Sequence, residues 1–508
     1  MAVKQKSIKI NFIMNAILTV SNVIFPIISF PYASRILTPD GTGKVSTAMS
    51  VIAFFNIFAQ LGIPTYGIKA CAQVRDNREE LTRTAHELLM INLIMSFVMY
   101  VLLFFAILFV PVLKDEKLLY VIVSATILLT SIGMEWLYKG LEQYAYITAR
   151  SVIFKLVSLV LLFILIHAKK DYALYGFITI FATSASNILN FINARKYIDL
   201  KPVGNYNLKR HLKPVGVFLG MACATTIYTN LDRVMLRYMT DDTEVGLYDA
   251  AVKIKHVMQT VVNSLGAVLL PRASYYVEMN MKDAFRKVAS KALSFVFMFA
   301  GAVTIYFIVM AKASVLLVSG SLYEGAALPM QIIFPTVLII GVSYILGLQV
   351  LVPLGREKEL LYAETGGAII DVIINILLIK YFRSAGVAIG TLAAEIFVMA
   401  YLVISLRKEL KGLIDEKDAL KTFVSLLTAT PLMLVSLYLS HLFSVDFLAD
   451  FLSNLFGDFR WIGELESLKE LVITFTVFSV SYLIMVLILK ESIAWDAVGK
   501  LFKKGRIK

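Results

Sequence analysis

The chain has 508 residues, 58% hydrophobic and only 17% charged, with a net charge of +13. Soluble domains are nearer half apolar and a quarter charged, so a bias held along the whole length excludes an ordinary soluble enzyme and indicates an all-α integral membrane protein. Basic loops kept in the cytoplasm account for the positive charge without nucleic acid, and two distant cysteines, Cys71 and Cys223, give neither a disulfide framework nor a metal site.

In chain order, fourteen apolar runs are long enough to cross about 30 Å of hydrocarbon as helices: 11–33, 45–68, 84–110, 118–138, 148–168, 172–194, 214–238, 245–271, 288–312, 326–350, 360–380, 384–406, 420–442 and 469–490. The first is longer than a signal-peptide core and has no convincing cleavage site, so it reads as a retained helix. An even number puts both termini on one side. With them in the cytoplasm, 33 of the 49 Lys and Arg fall in inner segments and 12 in outer ones, which supports both the span count and that orientation. Trp136, Trp461 and Trp495 fall at span ends, where an amphipathic ring favours the interface. Residues 446–459, DFLADFLSNLFGDF, space their Phe and Leu as a helix on the outer surface, and the basic tail suits the inner one.

Two stretches echo one another. SRILTPDGTGKVS (34–46) aligns with LRYMTDDTEVGLY (236–248), pairing Arg35 with Arg237, Thr38 with Thr240, Asp40 with Asp242 and, after a one-residue gap, Gly43 with Gly246. Each follows the first helix of a six-helix unit, so the units repeat in parallel about an axis along the membrane normal. The expected organisation is a first lobe over 1–200, a cytoplasmic linker over 201–213, a second lobe over 214–410, and two further helices with a basic tail over 411–508.

Motifs for soluble chemistry are missing. DGTGKVS lacks the spacing of a phosphate loop, His86-Glu87 is not followed by a zinc-binding histidine, and no Gly-x-Ser-x-Gly occurs. A membrane glycosyltransferase or polymerase would need larger outer loops than 443–468. The remaining class is a secondary transporter or flippase with no cofactor beyond a coupling ion, H+ or Na+.

Charges inside spans carry the site argument, because each costs roughly 2.5–3.5 kcal/mol at the bilayer centre on insertion scales. Asp232, Arg233 and Arg237 sit in the last turns of span seven and read either as interface anchors or as cavity residues. Lys253 and Lys255 lie deeper, on the order of 10–14 Å into span eight, with Asp249 one turn before Lys253. Lys155 is about 10 Å inside span five, from which it can also snorkel inward. Asp371 and Glu395 fall mid-span in eleven and twelve, as interhelical polar groups or as carriers of a proton or sodium ion. GVFLG (216–220) and GVAIG (386–390) read as close helix contacts, and Pro31, Pro64, Pro335 and Pro353 as kinks or helix ends. The excess of cations suggests an anionic ligand such as a phosphate or pyrophosphate.

PYASRILTPDGTG, NLDRVMLRYMTDDTEVGLYDAAVKI and GGAIIDVIINILLIKYFRSAGVAIGTLAAEI resemble Wzx-type polysaccharide flippases of the multidrug/oligosaccharidyl-lipid/polysaccharide exporter superfamily, in order and spacing along most of the chain. The resemblance implies transfer of an undecaprenyl-pyrophosphate-linked oligosaccharide across the bacterial cytoplasmic membrane by alternating access between two lobes, coupled to an ion gradient. It also implies a cationic lumen, with Arg35, Arg237, Lys253 and Lys255 as the first candidates and Arg233 and Lys155 beside them. Asp371, Glu395 and Asp232 are the candidates for ion coupling. The polymerase and other polysaccharide-assembly proteins are the expected partners. The alternatives are a multidrug or cation antiporter of the same superfamily, or a flippase for the peptidoglycan precursor or a teichoic acid.

Overall fold

A computed structural model describes residues 8–409, 416–442 and 464–495. The expected surface helix at 446–459, Trp461 and the tail beyond residue 495 lie outside the described residues. Within them the chain is helical and contains no strand. Contacts divide it into two compact units, Met1–Gly246 and Leu247–Lys508.

The first unit begins with α1 (Ile8–Gln60), which carries Pro26, Pro31 and Pro39 and breaks at Thr38 (φ 65°, ψ 171°). The ring of Pro39 keeps Thr38 out of the helical ψ range, while the positive φ of Thr38 is unusual for a β-branched residue. After α2 (Ile63–Gln73) comes α3 (Arg78–Phe109), whose start is set by Asn77: its side chain accepts from the backbone N–H of Glu79 and Glu80, and both glutamates favour a helix N-terminus. Then follow α4 (Pro111–Asp115), α5 (Lys117–Gly133), α6 (Glu135–Gly140), α7 (Tyr144–Leu165), α8 (Tyr172–Ile180), a π-helical segment (Phe181–Ala185), α9 (Asn187–Ala194) and α10 (Lys209–Met239).

The second unit holds most of α11 (Asp242–Glu278), then α12 (Lys282–Val309), α13 (Ala311–Ser319), α14 (Ala327–Ile333), α15 (Pro335–Tyr344), a π-helical segment (Ile345–Leu351), and α16 (Glu357–Ser405), which breaks at Arg383. The final pair, α17 (Glu416–Ser440) and α18 (Leu465–Ile488), packs on α12 and α13 through Tyr306, Met310, Leu426, Met433, Phe478 and Tyr482. Two phenols pin it there, Tyr306 donating to the Leu471 carbonyl and Tyr482 to that of Met298.

Burial runs opposite to a soluble fold. On α3 the polar Asn92 and Ser96 are buried, whereas Ile94, Phe97, Leu102, Phe104 and Phe105 are exposed. An apolar belt of that size has lipid as its natural solvent. Nine described helical stretches are long and apolar enough to cross a membrane, and the pair 321–333 and 335–351, bent by 42° around Pro335, makes a tenth. The chain is a multi-pass helical membrane protein. Every one of the fourteen predicted runs falls on helix, but the stretches 13–73 and 357–405 each take in two of them and α10 and α11 are not among the ten, so the count of fourteen stays an expectation.

Two sequence expectations need correction. Trp136 is not an interface residue: it is 3% exposed in a core with Ile63, Leu88 and Leu137, seated against Gly67, where a Cβ would come within 2.8 Å of the indole. The GVFLG glycines, Gly216 and Gly220, make no close helix contact, since a Cβ on either would meet nothing within 4 Å. GVAIG does make one. A Cβ on Gly386 would lie 2.8 Å from the Leu378 carbonyl, and one on Gly390 would collide with Asn375.

Candidate functional site

Of the predicted site residues, Arg35, Lys155, Asp232, Arg233 and Arg237 belong to the first unit, and Lys253, Lys255, Asp371 and Glu395 to the second. Arg35 and Arg233 each reach back one turn, to the carbonyls of Pro31 and Thr229. Arg237 pairs with Asp242 at 2.8 Å, and Asp232 is buried. Asp232 and the Arg237–Asp242 pair at the end of α10 are thus held within the first unit.

Lys155 departs most from the expected snorkel. It lies midway along α7, is 5% exposed, and donates to Ser21 Oγ (2.8 Å) and Asn22 Oδ1 of α1. No carboxylate lies within ion-pair distance of it among the described residues. Five residues earlier on the same helix, Arg150 is equally buried; it donates to Ser186 Oγ at the end of the π-helical segment and meets Glu135 Oε2 at 3.4 Å. Glu135 also serves Lys139 at 2.8 Å. Glu135 is thus shared by Arg150 and Lys139, while Lys155 on the same helix as Arg150 is held by neutral oxygens. π-Helical turns recur at functional sites, and this one presents Ser186 to the arginine. Arg150 has no strong sequence signal, since an arginine in the first turns of an apolar run is ordinarily an interface residue.

Between α1 and α7 runs a groove of about 450 Å³, lined by Ile13, Ile17, Val20 and Ile24 on one wall and Leu156 and Leu159 on the other, with Lys155 as its charged lining group.

At the Thr38 end of the unit the two echoing stretches meet. Gly43 packs on the backbone of Asp242 and Gly246 on that of Pro39, each closer than any Cβ could approach. Lys44 bridges Asp40 (3.2 Å) and Glu116 (3.0 Å), and Tyr172 donates to Glu116 at 2.7 Å. Burial of Asp242, opposed by Arg237, pushes its pKa up to about 6. A carboxyl raised above its unfolded value near 3.9 favours the fold most when protonated, so this group's contribution falls as pH rises from about 4 to 6. Asp242→Asn is expected to flatten thermal stability across that interval. An unchanged slope would show that Asp242 ionises normally.

At the opposite, linker end, Glu87 is fully buried and accepts from the Asn207 N–H (2.6 Å), Arg210 (2.6 and 2.9 Å) and His211 Nε2 (2.7 Å). Tyr66 OH lies 2.8 Å from His211 Nδ1. Burial holds the imidazole below its ordinary pKa, and a neutral ring with Nε2–H toward Glu87 and Nδ1 accepting from Tyr66 is the assignment that satisfies all three groups.

In the second unit Lys253 pairs with Asp249 at 2.5 Å, as the i,i+4 spacing predicts, and Lys255 is half-buried. Asp371 and Asn375 press against the second half of α16 where Gly390 leaves room. Tyr248 bonds Thr391 at 3.1 Å, and Glu395, also buried, follows Thr391 by one turn.

A family model described as "Polysaccharide biosynthesis protein" matches residues 8–277. A protein of Escherichia coli K12, provisionally named an O-antigen transporter, is 23% identical over 79% of this chain and 97% of its own, and a Shigella dysenteriae protein of the same provisional name is 22% identical over 75% and 96%. Among solved structures, the lipid II flippase MurJ in an inward closed conformation superposes with a TM-score of 0.72 at 14% identity, covering 94% of this chain and 99% of that one. An outward-facing multidrug resistance MATE transporter gives 0.54 at 12% identity, covering 79% and 94%. Both share the fold.

Proposed function

The chain belongs to the polysaccharide biosynthesis protein family, the Wzx-type membership its motifs implied, and on that premise we propose that it carries an undecaprenyl-pyrophosphate-linked oligosaccharide, the repeat unit of an O-antigen, capsule or exopolysaccharide, from the inner to the outer leaflet of the bacterial cytoplasmic membrane. Both termini lie in the cytoplasm, following the bias of basic loops. The observation that carries the reading is the cationic excess on α7, where Arg150 and Lys155 are both buried and the nearby Glu135, shared with the half-exposed Lys139 of α6, reaches only the arginine. A pyrophosphate answers it with charge-assisted hydrogen bonds. A cationic drug would be repelled, which weighs against a multidrug antiporter.

Transport proceeds by alternating access between the two six-helix lobes, 1–200 and 214–410, with the lipid tail left in the bilayer. Asp371, Glu395 and Asp232 are the groups proposed to carry a coupling proton or sodium ion, and polysaccharide polymerase is the proposed recipient of the product. The chain moves its substrate without altering it and uses no cofactor besides that ion.

Reconstitution into vesicles holding a fluorescent polyprenyl-pyrophosphate oligosaccharide tests the reading. The protein is expected to speed its appearance in the opposite leaflet, and collapse of the ion gradient to slow it. Acceleration of a peptidoglycan precursor alone would replace this substrate, and no acceleration of any such lipid would overturn the reading. Lys253→Ala and Lys255→Ala are each expected to lower export several-fold with the protein still inserted. Wild-type export by both at equal protein level would remove them from the site.

A further inference from the structure

We propose that the groove between α1 and α7 is a site for the lipid half of a translocating polyprenyl pyrophosphate, with its chain between Ile17, Val20, Leu156 and Leu159 and its anionic group on Lys155. The inference deepens the flippase reading and rests on it.

Three observations fix the occupant. The walls are aliphatic, so a hydrocarbon chain fits them and a sugar does not. The one charged lining group is a buried ammonium held by two neutral oxygens, Ser21 Oγ and Asn22 Oδ1, which satisfy donors but supply no counter-charge. An anion supplies it. The third observation is depth: Lys155 is the twelfth of 22 residues in α7, about 17 Å along the helix from Tyr144. A resident phospholipid keeps its phosphate at the interface, roughly 15 Å from the centre of a 30 Å core, so its phosphate stays out of reach. Only a lipid whose headgroup crosses the midplane brings a phosphate to Lys155. Arg150 lies five residues, about 7 Å, nearer the linker end on the same helix. Arg150 lies outside the groove's lining and is answered by Glu135, whereas Lys155 lines the groove and is not.

The experiment uses the full chain in phosphatidylcholine vesicles with a polyprenyl pyrophosphate that carries a benzophenone on its prenyl chain. Photolysis is expected to label residues 13–24 and 152–159, and excess unlabelled polyprenyl pyrophosphate to compete where phosphatidylglycerol does not. Lys155→Met is expected to reduce labelling at least tenfold, and Lys155→Arg to keep it within threefold of wild type. Ala16→Trp, which fills the groove and leaves the lysine in place, is expected to reduce it as strongly. Competition by phosphatidylglycerol, or labelling indifferent to Lys155→Met, would reduce the groove to a seat for bulk lipid and overturn the proposal. Export by the same variants in cells separates the two readings. If wild-type protein exports glycan and Lys155→Met does so at the same rate, the groove fails and the flippase reading stands; if wild-type protein exports none, the flippase reading itself fails.

Discussion

Gly43→Ala is expected to lower the thermal stability of the detergent-solubilised protein sharply and to cut glycan export at least tenfold. A Cβ at this position overlaps the Asp242 backbone carbonyl, and one at Gly246 overlaps that of Pro39. Neither obstacle is the tip of a mobile side chain. Both belong to backbone at the kink that breaks α1 and the turn that opens α11, so relief requires the two segments to separate. Overpacking a tight site costs typically 1–3 kcal/mol, and a clash against backbone belongs at the upper end. Separation would also disturb the Arg237–Asp242 pair at 2.8 Å. Gly246→Ala is expected to act alike, and the double variant to fall well short of the sum, because both relieve one contact. Melting of each variant in detergent, with export measured beside it, checks this. A Gly43→Ala protein with wild-type melting and wild-type export would show that the two segments part freely.

Glu87→Ala is the second large effect. It removes the acceptor for Arg210, His211 and the Asn207 N–H, leaving donors stranded around a fully buried point. Breaking a buried ion pair from one side costs about 3–5 kcal/mol; Arg210 is 39% exposed and water can recover part of that, so about 3 kcal/mol is expected. Glu87 carries the chain between α9 and α10 at Asn207, with His86–Tyr206 and Arg78–Asp199 as weaker ties. Trypsin should therefore cut the variant at Lys209 and Arg210 under conditions that leave the wild type whole. Acid should act in the same direction. Unfolded His211 takes a proton near pH 6.5, whereas the folded ring stays neutral to lower pH, so its contribution is full above 6.5 and is lost as pH falls. Equal trypsin resistance of wild type and Glu87→Ala would sink the clasp.

The membrane class, the helical runs and the echo between 34–46 and 236–248 were legible in the sequence because each rests on a local pattern. Apolar length and basic loop bias need no partner to be read. The i,i+4 pair Asp249–Lys253 was legible for the same reason. Lys155 stood out as a charge in an apolar run, but its choice between snorkelling and burial depended on Ser21 and Asn22, more than a hundred residues away. Arg150 and His211 passed unnoticed as ordinary residues near span ends, and Glu87 was weighed only as half of a zinc motif it does not complete. Trp136 was misplaced because an indole at a helix end is amphipathic in sequence, and only the absent side chain of Gly67 makes room to bury it.

The sequence by itself determined the solvent, the secondary structure and its punctuation, since these follow from periodicity, hydropathy and proline sterics within a few turns. For charges without a partner one turn away, tertiary structure alone decided which are compensated. A cation's cost in a membrane is set by the groups within about 4 Å of it, and in a bundle those arrive from other helices. Lys253 found its carboxylate one turn away. Lys155 was brought neutral oxygens and an apolar groove.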